Sequence, residues 1–185
     1  MASALILIDI QMGFEAPVWG ARNNPGAETN AGRLLAEWRK WAAPICHIRH
    51  VSSEFGSPLV SEGTIFKPEV APLDHEPIFE KSVNSAFIGT ELEDHLTQSS
   101  VGDLVICGLT TPHCVSTTTR MAANLGFNVR LAHDACAAFA SNAATDWAPT
   151  LTAPDPQVIH DTAISHLHGE FCTALATDTI LTEGP

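Results

Sequence analysis

Residues 4–10 read ALILIDI and residues 103–109 read DLVICGL, and these two stretches decide the class of fold. Each contains four consecutive apolar residues, LILI in the first and LVIC in the second. A strand with one face in water alternates apolar and polar residues, whereas a strand in a parallel sheet that is covered on both faces is apolar throughout. The two runs therefore predict buried strands of a parallel sheet with helices on both faces.

Four further short runs, bounded by Gly, Pro, Asp or Asn, predict the remaining strands: ICHIRHV (45–51), IFEK (78–81), NVRLAHD (128–134) and EFCTALA (170–176). Apolar residues at helical spacing lie after Thr29, within 90–98, after Cys114 and within 158–167, where Gly169 is expected as the C′ residue. This alternation predicts one doubly wound α/β domain over residues 1–185, with a mostly parallel six-stranded sheet. Residues 52–77, rich in Gly and Pro, form a long connection of the kind that often covers a binding site.

Composition narrows the range of functions. The chain of 185 residues carries a formal net charge of −12 with only nine Lys and Arg, which argues against a nucleic-acid partner. No apolar run approaches the ~20 residues of a membrane helix, so no membrane association is expected. The start, MASALILIDIQ, lacks a basic region and a cleavage site. Together with five cysteines and no CxxC pair, this predicts a cytoplasmic protein with reduced thiols.

Three reactive side chains follow three different predicted strands, where ligands of such sheets bind. They are Asp9, Lys81 and Cys114. Thr111 is a plausible N-cap and Pro112 suits the first helical position, so the thiol is expected near the third, where the helix dipole and a nearby lysine would lower its pKa. The pattern predicts a nucleophilic Cys114, an Asp9 that shuttles its proton and a Lys81 that stabilises negative charge.

Each of the three also has a purely structural explanation. A buried cysteine is usually a small hydrophobic residue, which is the role we expect for Cys46, Cys107, Cys136 and Cys172. An aspartate at a strand end often caps a turn, and a single lysine is usually solvated. Asp9, however, ends an otherwise apolar strand and must be paired if it is buried.

Three blocks carry a family resemblance: LILIDIQMGF, FEKSVNSAF and VICGLTTPHCVSTTTRMAANLGFNVRLAHDACAAF. In order and spacing they resemble the isochorismatase-like cysteine hydrolases, which include nicotinamidases, N-carbamoylsarcosine amidohydrolase and streptothricin hydrolase. The resemblance implies the isochorismatase-like α/β fold and an Asp, Lys, Cys triad on Asp9, Lys81 and Cys114. It further implies a cis peptide between Leu109 and Thr110, with the backbone N–H groups of Thr110 and Cys114 as an oxyanion hole.

The histidines argue against a metal or other cofactor. Metal-dependent nicotinamidases carry an Asp-x-His motif that is missing from HIRHVSSEFGSPL (47–59), and Pro112 and His113 also depart from the usual nicotinamidase pattern. His47 and His50 would point to opposite faces of a strand, and the nine histidines are expected at the surface or at caps. Residues that could line the substrate pocket, or simply pack beneath a loop, are Gln11, Phe14, Trp19, His50, Phe87 and His113.

Three functions fit the sequence. The first is metal-independent hydrolysis of a C–N bond in a small amide, lactam or ureido compound through a thioester. The second is isochorismatase-type hydrolysis of a vinyl ether with Asp9 as general acid, and the third is a non-catalytic small-molecule binder or thiol sensor. A homo-oligomer, at least a dimer, is expected because relatives that this chain resembles are commonly oligomeric and because four large aromatic side chains exceed what one small core needs, namely Trp38, Trp41, Phe139 and Trp147.

Overall fold

The computed structural model describes residues 3–185 and contains one sheet of six parallel strands in the order β3-β2-β1-β4-β5-β6. The strands are β1 (Ala4–Ile8), β2 (Ile45–His50), β3 (Ile78–Lys81), β4 (Asp103–Leu109), β5 (Asn128–Ala137) and β6 (Thr173–Leu175). The helices are α1 (Ala27–Lys40), α2 (Leu92–Gln98), α3 (Ser116–Asn124), α4 (Pro156–Ser165) and α5 (Thr177–Glu183). The predicted six-stranded α/β fold is confirmed.

Several element ends differ from the prediction. Strand β1 stops at Ile8 because Asp9 adopts a left-handed backbone conformation with φ of 52°. Strand β5 extends to Ala137, across an irregularity in its pairing with β4, and β6 is only three residues long. Helix α4 ends at Ser165, so Gly169 lies in the turn beyond it and is not its C′ residue. Helix α5 buries only two of its residues, and this weak apolar pattern explains why the sequence did not predict it.

The strand order places a binding crevice between β1 and β4. From β1 the chain moves outward through β2 to β3, and it then returns to β4 and moves the other way through β5 to β6. Because crossover connections are right-handed, α1 lies on one face of the sheet, and α2, α3 and α4 lie on the other. Helix α5 packs against α1. The strand order reverses beside β1, and ligands of such sheets bind at the carboxyl ends of the strands at this point.

The interior is apolar on both sides of the sheet, as the uninterrupted strands predict. All five residues of β1 are buried, and six of the seven residues of β4 are buried with them. Trp38 and Phe139 also belong to buried clusters, so they cannot contribute to an oligomer interface as expected, whereas Trp41 and Trp147 are 63% and 76% exposed. No helix within residues 3–185 has the length and apolar character needed to cross a membrane.

Candidate active site

A buried ion pair joins the ends of two strands that are not neighbours. Asp9 follows β1 directly, and its N–H donates to the carbonyl oxygen of Ile48 in β2. Lys81 is the last residue of the edge strand β3, and its side chain passes over β2 to reach Asp9. The Lys81 Nζ donates to Asp9 Oδ2 over 2.6 Å, and both side chains have no exposed area.

Cys114 lies opposite this pair, in a turn that leads into α3. Residues Thr111–Val115 form a π-helical turn, with Thr110 as its N-cap residue and no side-chain cap. The prediction that Thr111 is the N-cap was therefore wrong by one residue, because Thr110 has the extended backbone and Thr111 is already in the turn. The Thr111 hydroxyl is hydrogen-bonded to His160 Nδ1 at 2.8 Å. The Leu109–Thr110 peptide is cis, as the resemblance implies.

The three reactive groups meet at one point. The Lys81 ammonium lies 3.3 Å from Cys114 Sγ, and the thiol also approaches Asn84 Oδ1 at 3.7 Å. A carboxylate oxygen of Asp9 and the Cys114 sulfur lie within 4.8 Å of each other. Asp9 Oδ1 has no hydrogen-bond partner among residues 3–185, which leaves one carboxylate oxygen available for a proton.

The electrostatics of the site differ from those expected of a helix N-terminus. Burial raises the pKa of the Cys114 thiol, and the Asp9 charge raises it further, although Lys81 opposes both effects. Burial likewise raises the pKa of the Asp9 carboxyl, against the lowering effect of Lys81. The prediction of a lowered thiol pKa was therefore wrong in direction, because desolvation of the buried sulfur and the Asp9 charge together outweigh the lowering effect of Lys81.

His50 completes this group, although the sequence indicated it only as a residue of the pocket mouth. It is the last residue of β2 and pairs in register with Lys81. Its Nδ1 lies 3.1 Å from Lys81 Nζ. The Gln11 side chain bridges β1 and β2 here, donating to the His50 carbonyl over 3.0 Å and accepting from the His50 N–H over 2.7 Å.

A cavity of about 550 Å³ opens above the thiol, a size typical of small-molecule sites. Thr110, His113 and Cys114 line its floor, and Phe14 and Trp19 form an aromatic wall with ring centroids 4.8 Å apart. The remaining lining residues are His50, Ser52, Ser53, Glu54, Ser57, Leu59, Ser82, Val83 and Asn84. Four of the six proposed pocket residues, Phe14, Trp19, His50 and His113, therefore reach the cavity.

Two of the proposed pocket residues lie elsewhere. Gln11 is fully buried, and its amide group is used by the backbone of His50. Phe87 is 7% exposed and stacks on Phe127 with ring centroids 5.9 Å apart, so it belongs to the core. Their positions just after the Asp9 and Lys81 strands suggested a pocket role, but neither side chain lines the cavity.

The sequence interpretation missed several polar residues of the cavity, among them Asn84 and the serines. Asn84, which contacts the thiol, lies in the FEKSVNSAF block three residues after Lys81, and that position was the only available signal. Thr118 of α3 holds the same segment, because its hydroxyl oxygen accepts from the Ala86 N–H over 3.0 Å. Ser52, Ser53 and Ser57 come from the connection at 52–77, whose length alone suggested a binding segment, and Ser82 directly follows β3.

Two histidines were expected at the surface but are buried. His47 has no exposed area, and its Nε2 lies 2.9 Å from Glu76 Oε2. His160 is 2% exposed and is bonded to Thr111. Both are hydrogen-bonded core residues, since a buried imidazole needs a partner and each has found one.

One group of side chains has the donor types of a metal site. Ligand atoms of Asp9, His50 and Cys114 lie within 4.8 Å of one another. The Lys81 ammonium, however, contacts all three, at 2.6, 3.1 and 3.3 Å, and thus takes the position that a cation would need. These residues fit a site whose positive charge is the lysine, and they do not fit a metal ion together with it.

Comparison with known proteins agrees with the fold. Residues 3–178 match the isochorismatase domain family. The isochorismatase family protein YrdC of Bacillus subtilis (strain 168) is 43% identical, over 97% of this chain and 95% of the relative. Streptothricin hydrolase of Streptomyces noursei is 32% identical, over 81% of this chain and 55% of the relative.

A solved structure is also similar throughout its length. The crystal structure of an isochorismatase-family protein from Chromobacterium violaceum superposes with a TM-score of 0.91 and 40% identity, covering 98% of this chain and 92% of the other. The family match covers residues 3–178, which is nearly the whole chain. The chain is therefore a hydrolase of the isochorismatase family.

Proposed function

We propose that this hydrolase cleaves a C–N bond of a small amide, lactam or ureido compound through a thioester on Cys114. The observation that carries the proposal is the position of Lys81 Nζ, which contacts both Asp9 Oδ2 and Cys114 Sγ beneath the cavity. Nucleophilic catalysis by a cysteine needs the thiol, a base within reach and a group that stabilises negative charge.

Attack on the substrate begins from the neutral thiol. Because the pKa of Cys114 is raised, little thiolate exists at rest, and the proton must leave as the sulfur attacks. Asp9 accepts that proton, for which its raised pKa suits it, and Lys81 remains beside the sulfur as negative charge develops. Sγ forms a bond to the carbonyl carbon, and the carbonyl π electrons move onto oxygen.

The resulting oxyanion is stabilised by the backbone N–H groups of Thr110 and Cys114. Both residues line the cavity at the thiol, which supports this assignment. As the oxyanion collapses, the C–N bond breaks and the leaving nitrogen takes the proton from Asp9. The products of this half-reaction are a thioester on Cys114 and an amine or ammonia, which is released from an amide or ureido compound and stays on the acyl chain when the substrate is a lactam.

Water completes the cycle at the same site. Asp9, again ionised, removes a proton from a water molecule, whose oxygen attacks the thioester carbonyl. The second tetrahedral intermediate expels the sulfur, which regains its proton from Asp9, and a carboxylic acid or carbamate leaves. The cycle consumes one water molecule and requires no redox change.

The charges of the cavity indicate an uncharged or cationic substrate. Among residues 3–185, its lining includes one carboxylate, Glu54, and no lysine or arginine. The nearest positive charge, on Lys81, is paired with Asp9. A substrate carboxylate would therefore have no partner here, whereas Phe14 and Trp19 offer an apolar face to a planar group.

Vinyl ether hydrolysis remains the competing proposal, because a buried Asp9 with a raised pKa could also act as a general acid. In that reaction no thiol takes part, so the contact between Lys81 and Cys114 would have no catalytic role. A thiol sensor fits less well, since sensor cysteines are accessible and have low pKa values, whereas Cys114 is 8% exposed and its pKa is raised.

Intact-protein mass spectrometry after incubation with a panel of uncharged amides tests the proposal. We expect an acyl adduct on the wild-type chain and none on Cys114→Ser, because a hydroxyl is a far weaker nucleophile without a histidine base. Cys172→Ser is the matched control, since Cys172 has the same 8% exposure but lies outside this cavity. Turnover at the wild-type rate by Cys114→Ser would show that the thiol is not the nucleophile.

A further inference from the structure

The Lys81 ammonium has three N–H groups, and each of them has an acceptor in the site. Asp9 Oδ2 lies at 2.6 Å, His50 Nδ1 at 3.1 Å and Cys114 Sγ at 3.3 Å from the Nζ atom. Asp9 and Cys114 take part in the proposed reaction, whereas His50 does not. The imidazole is thus the one partner of the lysine whose role the proposed reaction leaves unexplained.

Because Lys81 is the hydrogen-bond donor, the contact fixes the protonation and the tautomer of the His50 ring. An ammonium can only donate hydrogen bonds, so His50 Nδ1 must present its lone pair. The ring is therefore neutral and carries its proton on Nε2. Burial, and then the charge on Lys81, lower the pKa of His50 to about 4, which is consistent with a neutral ring.

The backbone of His50 is held independently of its ring. The Gln11 amide pairs with both its N–H and its carbonyl group, and Gln11 itself is fully buried between β1 and β2. His50 also lies in register with Lys81 on the neighbouring strand. The acceptor atom is therefore in a defined position relative to the ammonium, and it does not depend on a flexible loop.

We infer that His50 is a positioning residue, whose neutral Nδ1 accepts one N–H of Lys81 and thereby directs the other two at Asp9 and Cys114. This inference rests on the proposed function, because it assigns the lysine a role beside the reacting thiol. Without the acceptor, the ammonium has two partners for three donors and can rotate away from the sulfur, which would raise the cost of forming the thiolate.

Alkylation of Cys114 by iodoacetamide measures this effect without a substrate. Three substitutions of His50 distinguish the effect of losing the hydrogen-bond acceptor from the effect of changing the side-chain shape. His50→Asn places its side-chain oxygen near the former Nδ1, His50→Gln carries its oxygen one carbon further along the side chain, and His50→Leu has no acceptor. Peptide mass spectrometry follows the alkylation of Cys114, and Cys172, at 8% exposure, serves as the internal reference in every sample.

We expect His50→Leu and His50→Gln to slow alkylation of Cys114 at pH 7.5 by about tenfold or more, with the rate at Cys172 unchanged. His50→Asn should stay within about threefold of the wild type. Equal losses in all three variants, or a wild-type rate in His50→Leu, would overturn the inference. The outcome is separate from that of the amide panel, because a chain that hydrolyses no amide can still show the predicted order of alkylation rates.

Discussion

Replacing Lys81 with Met tests the buried ion pair on which the proposed site depends. Methionine keeps a side chain of similar length but removes the ammonium, so Asp9 would remain in a fully buried position without its partner. One of its oxygens already has no hydrogen bond among residues 3–185. Removing one member of a buried pair typically destabilises a protein by ~3–5 kcal/mol, and we expect a loss of this size at pH 8.

The loss of stability in the Lys81→Met variant should depend on pH, and the raised pKa of Asp9 determines the sign of that dependence. The pKa of Asp9 is already raised by burial, and Lys81 is what opposes the rise, so the variant's carboxyl should have a still higher pKa in the folded state. A raised folded pKa means that the folded chain holds the proton more tightly than the unfolded chain. The deficit is therefore small near pH 4, grows by up to about 1.4 kcal/mol for each pH unit, and levels off above the folded pKa.

Urea unfolding at pH 5 and pH 8 measures this deficit, with tryptophan fluorescence as the signal. Trp38 is fully buried and donates to the Ser3 carbonyl over 2.8 Å, so it reports the loss of the core. Adding Asp9→Asn to the variant is the control, because asparagine tolerates the left-handed backbone and carries no charge. The double variant should recover much of the stability and lose the added pH dependence. A single variant within about 0.5 kcal/mol of the wild type at pH 8, or a deficit that widens on acidification, would contradict the role given to this ion pair.

Three further predictions concern the sheet, the metal and the assembly. Gly108→Ala should lower the free energy of unfolding by about 3 kcal/mol or more, because φ is 131° and the new Cβ would lie 2.1 Å from a backbone oxygen of β1. The control Gly102→Ala should have little effect, because apart from its chain neighbours no atom of residues 3–185 would lie within 4 Å of its new Cβ. Hydrolysis, once detected, should survive EDTA because Lys81 supplies the positive charge; loss with recovery on added zinc would contradict this. Light scattering at micromolar concentration should give at least twice the 19.7 kDa chain mass, since Trp41 and Trp147 are exposed, and a monomer mass would contradict it.

The strands could be predicted well because their signal is local. LILI and LVIC are apolar at every position, and in the structure they lie side by side as β1 and β4, buried on both faces. Errors occurred where a tertiary contact overrides the local pattern. Strand β1 ends two residues early at the left-handed Asp9, and β5 continues past its predicted end through an irregular pairing with β4.

The candidate site was predictable in its members and less so in its surroundings. Asp9, Lys81 and Cys114 each follow a strand, and the carboxyl ends of parallel strands share one edge, so the three could be expected together. The positions of Gln11 and Phe87 in the sequence also suggest a place in the site. In the structure, however, the Gln11 side chain is hydrogen-bonded to the backbone of His50, and Phe87 packs in the core. Nothing in the local pattern separates these two outcomes, because they depend on which neighbour each side chain meets.

Local sequence patterns were enough to predict the α/β fold, the buried central strands and the three reactive residues at the strand ends. The tertiary contacts add that burial raises the pKa of the Cys114 thiol, that His50 Nδ1 lies beside the Lys81 ammonium and that the cavity lining within residues 3–185 contains no lysine or arginine. Hydrophobic periodicity is a property of consecutive residues, whereas the desolvation and the electrostatic environment of a site depend on residues that are far apart in the chain. Lys81 is 72 residues from Asp9 and 33 from Cys114, and their interaction exists only once β1, β3 and the turn after β4 have come together.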